Sequence, residues 1–181
     1  MTTYVSMLRG INVSGHRRVE MEELKQIYVS LGYRNVRTYL QSGNVVFEGA
    51  GASADALAEE IGKSLKQRLG LDVPLLIRTD DELGLVIKNN PFAGRNEERL
   101  HVTFLHEMPG VFPLDRINKA VGKGEAFSMA EREVYLFCPN GYGQTKLSNT
   151  FFERELKTTA TTRNWRTTKS LLSLTESPPE Q

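Results

Sequence analysis

The stretch from Val36 to Phe47 restricts the fold more than any other part of the chain. Val36, Thr38 and Leu40 alternate with Arg37, Tyr39 and Gln41, the period-two pattern of a half-buried strand. Val45-Val46-Phe47 is a second strand, and only Ser42-Gly43 separates the two, a link typical of a β-hairpin. A helical stretch flanks this pair on each side. Before it, Met21, Leu24, Ile27, Tyr28 and Leu31 share one face, Glu20, Glu22 and Glu23 suit the positive end of the helix dipole, and Gly32 follows as a stop. After it, Leu57, Ile61, Leu65 and Leu69 are spaced by four and predict a helix over 54–69, closed by Gly70. Tyr4 to Leu8 and Val73 to Ile77 supply two further strands. The order strand-helix-strand-strand-helix-strand is that of a ferredoxin-like split βαβ unit, here over residues 1–79.

The second half echoes this order without repeating its residues. Asp80-Asp81 is expected to cap a helix carrying Leu83, Val86 and Ile87, which Asn90-Pro91 ends. Leu100, Val102 and Phe104 alternate as a strand, and Leu114 to Val121 is a short helix entered through Pro113. Ala126 to Ala130 is a weak strand. Glu133 to Cys138 is a stronger one, with Val134 and Leu136 on one face and Tyr135 and Phe137 on the other. Helices are expected over 145–157 and 162–174, the last with Trp165, Leu171 and Leu172 on its apolar side. The expectation is an α+β fold of tandem ferredoxin-like units with mainly antiparallel sheets. The second unit, over 80–175, is incomplete, with a helix where its fourth strand would stand, followed by C-terminal helices. Residues 176–181 read as a disordered tail. Leu71 to Asp81 is the only boundary between the halves, because no Pro/Gly/Ser-rich linker occurs.

Charge and cysteine content narrow the function classes. In 181 residues, 23 Lys and Arg meet 22 Asp and Glu, a net charge of +1. That excludes a uniformly basic nucleic-acid coat, though not a local basic patch. The single cysteine, Cys138, allows no internal disulfide and no cysteine-rich zinc site. No apolar run approaches the roughly 18 residues of a membrane span, and no basic-then-apolar leader opens the chain. A cytoplasmic protein with no membrane partner is expected.

Familiar catalytic and metal signatures are missing. His101 and His106 lie an odd number of residues apart on one strand, so they point to opposite faces and cannot share a metal. His16 stands alone in a loop. No HExxH, paired CxxC, EF-hand loop, GxSxG elbow or Walker A loop occurs. Gly49-x-Gly51-x-x-Ala54 resembles a dinucleotide fingerprint, but the strand before it is half of a tight hairpin, whereas that fold needs parallel strands. Cys138, at a strand end beside Pro139, reads as a structural thiol, since no base is in view. No cofactor, metal or catalytic constellation is assigned, and the question of enzymatic activity stays open.

Two segments are odd for plain connectors. Arg9 to Arg18 holds three arginines, one histidine and no acid, with glycines whose flanking N–H groups suit an anion. Pro139 to Lys146 places two glycines and Tyr142 before a helix whose first turn is expected to hold Lys146, a cation set against the helix dipole. From Gly141 to Ser170 there are six Lys or Arg against two Glu, with Tyr142 and Trp165 as flat faces beside them. Thr161 or Thr162 also serves as an ordinary N-cap, and Trp165 as core. An RNA-recognition reading of the fold is weakly supported: Tyr4 to Leu8 matches its shorter motif faintly, and Asn44 to Phe47 carries one aromatic where the longer motif has several.

Five segments resemble the signature of a widespread bacterial family, the domain of unknown function 1697. They are Leu8 to Val13, Tyr39 to Phe47, Asn90-Pro91-Phe92, Lys146 to Asn149 and Thr161 to Trp165. They come in the family's order between Tyr4 and about Leu174. Ser14 stands where the family often has a second glycine, and Lys157-Thr158 replaces a glycine-containing helix end. The resemblance implies a bacterial cytosolic α+β protein, built from two ferredoxin-like units, and implies no reaction.

These readings lead to a binding protein for an anionic, phosphate-bearing ligand such as a nucleotide. Arg9, Lys146 and Arg163 would bind the anion. Asn12, Gln41, Asn44 and Asn164 would add neutral hydrogen bonds, and Trp165 or Tyr142 a stacking face. The alternative is an interaction or oligomerisation module using Tyr135 and Phe137 on an open sheet face. Single-stranded nucleic-acid binding is a minor alternative. An enzyme using Lys146 or Cys138 ranks last, because no acid–base partner is identifiable.

Overall fold

The computed structural model describes residues 1–15 and 17–177. It divides into two units, one of Met1–Gly84 with the stretch from Ser170 onward, the other of Leu85–Lys169.

In the first unit the chain runs β1 (Thr2–Leu8), α1 (Met21–Ser30), β2 (Arg34–Tyr39), β3 (Asn44–Gly49), α2 (Ala54–Leu69) and β4 (Leu75–Thr79). The strands lie in the order β2-β3-β1-β4, each antiparallel to its neighbours. Alternation sends Tyr4, Leu8, Val45, Phe47, Leu75 and Ile77 to one face, where they bury Leu24 and Ile27 of α1 and Leu57, Ile61 and Leu65 of α2. Each such side chain contributes about 1.5–3 kcal/mol of burial. Phe47 is ringed by Tyr33, Tyr28 and Tyr4 at centroid distances of 4.7, 5.2 and 5.5 Å. Ser6, the polar residue in this row, lies 2.8 Å from the Tyr28 hydroxyl, and burial raises the pKa of that hydroxyl. Helix α2 keeps its expected bounds. Ser53 accepts the Ala56 N–H at its start, and Gly70 closes it in the left-handed conformation.

The second unit follows α3 (Asp80–Lys88), which crosses the division. It runs β5 (Leu100–Leu105), α4 (Leu114–Ala120), β6 (Ala126–Ala130), β7 (Glu133–Phe137), α5 (Asn149–Leu156), β8 (Ala160–Asn164) and α6 (Trp165–Glu176). Its sheet order is β6-β7-β5-β8, again antiparallel throughout. Leu105, Val134 and Leu136 meet Ile117 of α4 and Phe152 and Leu156 of α5. The molecule is therefore α+β, with two four-stranded antiparallel sheets.

Four local expectations are corrected. The second sheet is complete: residues 160–164, of which 162–164 are expected to open the last helix, form β8, and α6 starts only at Trp165, because pairing with β5 along Ala160–Leu105 to Asn164–His101 outweighs the local capping signal of the threonines. The preceding helix starts at Asn149 rather than Thr145, because Ser148 accepts the Phe151 N–H as its N-cap, and Tyr142–Gln144 is only a 3-10 turn. Helix α3 is capped by Thr79 rather than by an aspartate: Thr79 Oγ1 accepts the Glu82 N–H at 3.2 Å, and the Glu82 carboxylate accepts the Thr79 N–H at 2.9 Å. This is a reciprocal capping box. Leu40 is not in a strand; it is exposed, at φ 58°, in the turn between β2 and β3. Of the expected tail, residues 178–181 lie outside the described residues.

Both fourth strands end alike. Arg78 pairs with Val5 and Thr79 with Tyr4, while Arg163 pairs with Val102 and Asn164 with His101. Each places a buried arginine one residue before the N-cap of the next helix. Asn164 Oδ1 accepts the Thr167 N–H at 2.7 Å.

Candidate functional site

In the first unit the β1–α1 loop and the β2–β3 turn sit at the same end of the sheet, since Met7 pairs with Asn44 and Asn44 with Tyr39. The loop is wound unusually. Gly10 and Gly15 have positive φ, and so do Asn12, Ser14 and Arg17, at 52°, 51° and 50°. Non-glycine residues pay about 1–2 kcal/mol each for that conformation, asparagine least. Asn12 is fixed by its side chain. Its amide donates to the Val19 carbonyl at 3.0 Å and to the Gln41 carbonyl at 2.7 Å, and its Oδ1 accepts the Val19 N–H at 2.8 Å. One side chain thus closes the loop and ties it to the hairpin turn.

The turn is held from below. Fully buried Asn44 donates to the Tyr39 carbonyl at 2.9 Å and to Ser42 Oγ at 3.0 Å. The Leu8 N–H donates to Gly43 and the Arg9 N–H to Pro74. Ile11, 1% exposed, fits against Gly43 so closely that a Cβ there would lie 2.6 Å from its Cδ1. The next residue, Asn12, lines a hollow of about 290 Å³ together with Gly15, Arg18, Val19, Glu20 and Gln41. The acid-free stretch 9–18 does not disclose Glu20, which enters the wall because the loop folds back. Arg9 is half-buried beside this end of the strand, and His16 lies outside the described residues.

The second group of sequence candidates lies in the other unit and is largely engaged in structure. The Tyr142 ring stacks on His101 at 4.9 Å and 23°. Its hydroxyl donates to Thr162 Oγ1 at 3.1 Å, Thr162 donates to Asn149 Oδ1 at 2.6 Å, and Thr103 Oγ1 lies 2.7 Å from Thr162 Oγ1. Arg163, on the opposite face of β8, donates to Thr161 Oγ1 at 2.9 Å and to the Thr162 carbonyl at 3.1 Å. Burial pushes its guanidinium down to about 10. Asn164 caps α6 and Trp165 is 3% exposed, so the indole is not an open stacking face. Lys146 is exposed but precedes the Ser148 cap, so it does not oppose the dipole from inside a first turn.

Other chemistry finds little footing. Cys138 is fully buried, and burial, aided by Glu125, pushes its thiol up to about 11. A thiol with so high a pKa carries little thiolate at neutral pH. Among the described residues no group of three or more His, Cys, Asp and Glu is placed to hold a metal ion, and no helix is long and apolar enough to cross a membrane. The dinucleotide-like Gly49 to Ala54 stretch follows β3, whose neighbours are both antiparallel. Tyr135, expected on an open sheet face, is 3% exposed and donates to the Val86 carbonyl at 2.8 Å.

Comparison with known proteins supports the fold and the family. The fold is similar to that of the conserved bacterial protein SP0830 from Streptococcus pneumoniae, with a TM-score of 0.71 and 22% identity over 96% of this chain and 98% of that one. At that identity the likeness shows the fold alone. No curated protein matches. The model of the family described as protein of unknown function (DUF1697) matches residues 1–135, which takes in the whole first sheet, the hollow and most of the second sheet. The chain belongs to this uncharacterised family, DUF1697.

Proposed function

We propose that this chain is a cytoplasmic protein of two ferredoxin-like units that binds a small phosphate-bearing anion, such as a nucleotide, in the hollow of the first unit. The ferredoxin-like description rests on the shared order β-α-β-β-α-β with the third strand between the first two. The cytoplasmic placement rests on the single unpaired cysteine.

One observation carries the binding proposal: the Asn12 amide, 2.7 Å from the Gln41 carbonyl, joins two loop segments into one wall beside Arg18. Arg18 and Arg9 supply positive charge, and the left-handed backbone at Ser14 and Gly15 is of the kind that forms anion nests. Asn12 and Asn44 spend their amides on the scaffold and act by holding the loop. The exposed Gln41 side chain is the neutral donor. Glu20 suits a ligand hydroxyl, which favours a phosphorylated sugar or nucleotide over bare phosphate. Lys146, Tyr142, Arg163, Asn164 and Trp165 belong to the second unit and take no part in this hollow.

A charge-assisted hydrogen bond contributes about 1.5–3 kcal/mol. Arg18→Ala should therefore weaken binding by roughly ten- to a hundredfold. The test is a thermal-shift panel of phosphate, sulfate, mononucleotides and dinucleotides. A ligand at about 100 times its Kd stabilises by about 2.7 kcal/mol. A selective shift lost in Arg18→Ala and reduced in Gln41→Ala supports the site, and a flat panel removes it.

A second reading, the interaction module, has its own observation. Met108 and Val111 on the loop into α4, and Leu114 at its first position, stand 66%, 75% and 52% exposed. A sedimentation coefficient that does not change with protein concentration would sink its self-association form.

A further inference from the structure

The second sheet has a basic end that none of the residues above explains. Leu100 and Ala126 both pair with Phe137, and His101 pairs with Asn164. The segments meeting there are therefore the approach to β5, the α4–β6 turn, the exit from β7 and the start of α6. They carry Arg95, Arg99, Lys123, Lys146 and Arg166, all exposed. Of the acids nearby, Glu97 pairs with Lys169, and the Glu125 carboxylate accepts the Gly122 N–H at 2.7 Å, a bond that leaves its charge in place. Only Glu98 stands exposed without a side-chain bond among the described residues.

Arg95 is the best-placed of these cations. Its guanidinium lies 5.0 Å over the Phe92 ring and 4.8 Å over the Phe137 ring, and among the described residues it has no carboxylate partner. The two rings, 6.5 Å apart and tilted by 44°, back an exposed arginine whose N–H donors no carboxylate satisfies among the described residues. Arg99 follows four residues later. A Cβ on Gly141 would lie 3.8 Å from one of its guanidinium nitrogens, so it borders the β7 exit turn. The α4–β6 turn reaches the same place, since a Cβ on Gly124 would lie 3.3 Å from Pro139. Four strands at about 4.8 Å spacing spread these cations over about 14 Å, several times the width of one phosphate. A ligand matching that spread carries several phosphates in a row, and a flat guanidinium backed by aromatics is a surface on which an unpaired base stacks.

We propose that this end of the second sheet binds a single strand of nucleic acid. Arg95 stacks a base, and Arg99, Lys123 and Lys146 take the flanking phosphates. A duplex is disfavoured, because its bases are already stacked on one another.

Fluorescence anisotropy tests this with the full chain and a labelled single-stranded RNA of about 12 nucleotides, with its annealed duplex as comparison. The single strand should bind at low salt and more tightly than the duplex, with a log–log salt slope of about −2 for three phosphate contacts. Arg99→Glu with Lys123→Glu should weaken binding at least about tenfold and flatten that slope. Neither side chain makes a hydrogen bond or ion pair among the described residues, so the fold should hold, checked by an unchanged Tm. Arg95→Lys keeps the charge and loses the plane, and should cost about fivefold or more at an unchanged slope. Arg18→Ala should leave RNA binding intact, which separates this proposal from the one for the first unit. Equal binding by the duplex, parental binding by the charge-reversed variant, no anisotropy rise at low salt, or displacement by tripolyphosphate as effective as by unlabelled RNA at equal phosphate would each overturn it.

Discussion

The two units share one topology and differ most in the loop after their first strand. In the first, residues 9–19 wind through five left-handed conformations at described positions, tied by Asn12 around a polar hollow. In the second, the loop from His106 to Pro113 has no positive φ and offers Met108 before Pro109, and Val111 and Phe112 between Pro109 and Pro113. Sheet order depends on alternation and pairing, which both units satisfy with different residues. The loop after the first strand is free of that constraint, and there the same architecture gives a polar basin in one unit and an apolar rim in the other. That is how one scaffold carries different surfaces.

The largest expected effect breaks the first unit's side of this contrast. Gly43→Ala places a methyl 2.6 Å from Ile11 Cδ1 and 3.0 Å from Leu8 Cβ, at a φ of 79°. Overpacking and the left-handed backbone together should cost about 2–4 kcal/mol. Urea unfolding should show a lowered midpoint. Because Ile11 precedes Asn12, which lines the hollow and ties it to Gln41, any phosphate-ligand shift should vanish with it. A midpoint within error of the parent would mean that the loop yields freely, and the tied-loop account would fail.

The same contrast explains what the sequence disclosed. Local signals found the first unit well: the apolar spacing of Leu57 to Leu69, Ser53 before it and Gly70 after it agree with one another, and α2 has the expected bounds. They failed at β8, where Ala160-Thr161-Thr162 carries an N-cap signature and its strand character comes from β5, some 60 residues away. The T-x-x-E pattern of Thr79 and Glu82 was present in the sequence but masked by Asp80-Asp81, which also suit a helix start. In the hollow, the residue types of the loop were legible. The contact between Asn12 and Gln41, 29 positions apart, was not, and neither was the seat of Arg95 on Phe137, because both are products of register.

Smaller effects sharpen the comparison at matched positions. Thr79 and Asn164 cap α3 and α6 after equivalent strands, and alanine at either should cost about 1 kcal/mol, or about 2–4 °C in Tm for a chain of this size. The second helix of each unit ends in a left-handed residue, Gly70 at φ 63° in one and Lys157 at φ 57° in the other. Nothing lies within 4 Å of a Cβ on Gly70, so Gly70→Ala isolates the backbone penalty, about 1 kcal/mol of destabilisation. Lys157→Gly should run the other way by about 0.5–1 kcal/mol. Same-sign shifts from the two substitutions would show that these helix ends are not equivalent.

The smallest effect is a pH dependence confined to one unit. Tyr4 pairs with Thr79 where His101 pairs with Asn164, so the second sheet alone carries an imidazole at this position. Partial burial, against Tyr142 among others, holds the His101 pKa below 6.5, and the nearby Arg99 backbone offsets this only in part. The folded state therefore binds fewer protons than the unfolded state as pH falls through 6.5, and stability is lost in that direction. Trp165, the single tryptophan, is buried in the second unit and reports its unfolding. The urea midpoint from its fluorescence should fall between about pH 7.5 and about pH 5.5, and His101→Phe, which keeps a ring against Tyr142, should flatten the fall. If the variant keeps the full acid loss, the titrating group lies elsewhere, and the second unit's acid sensitivity does not come from the residue that replaces Tyr4.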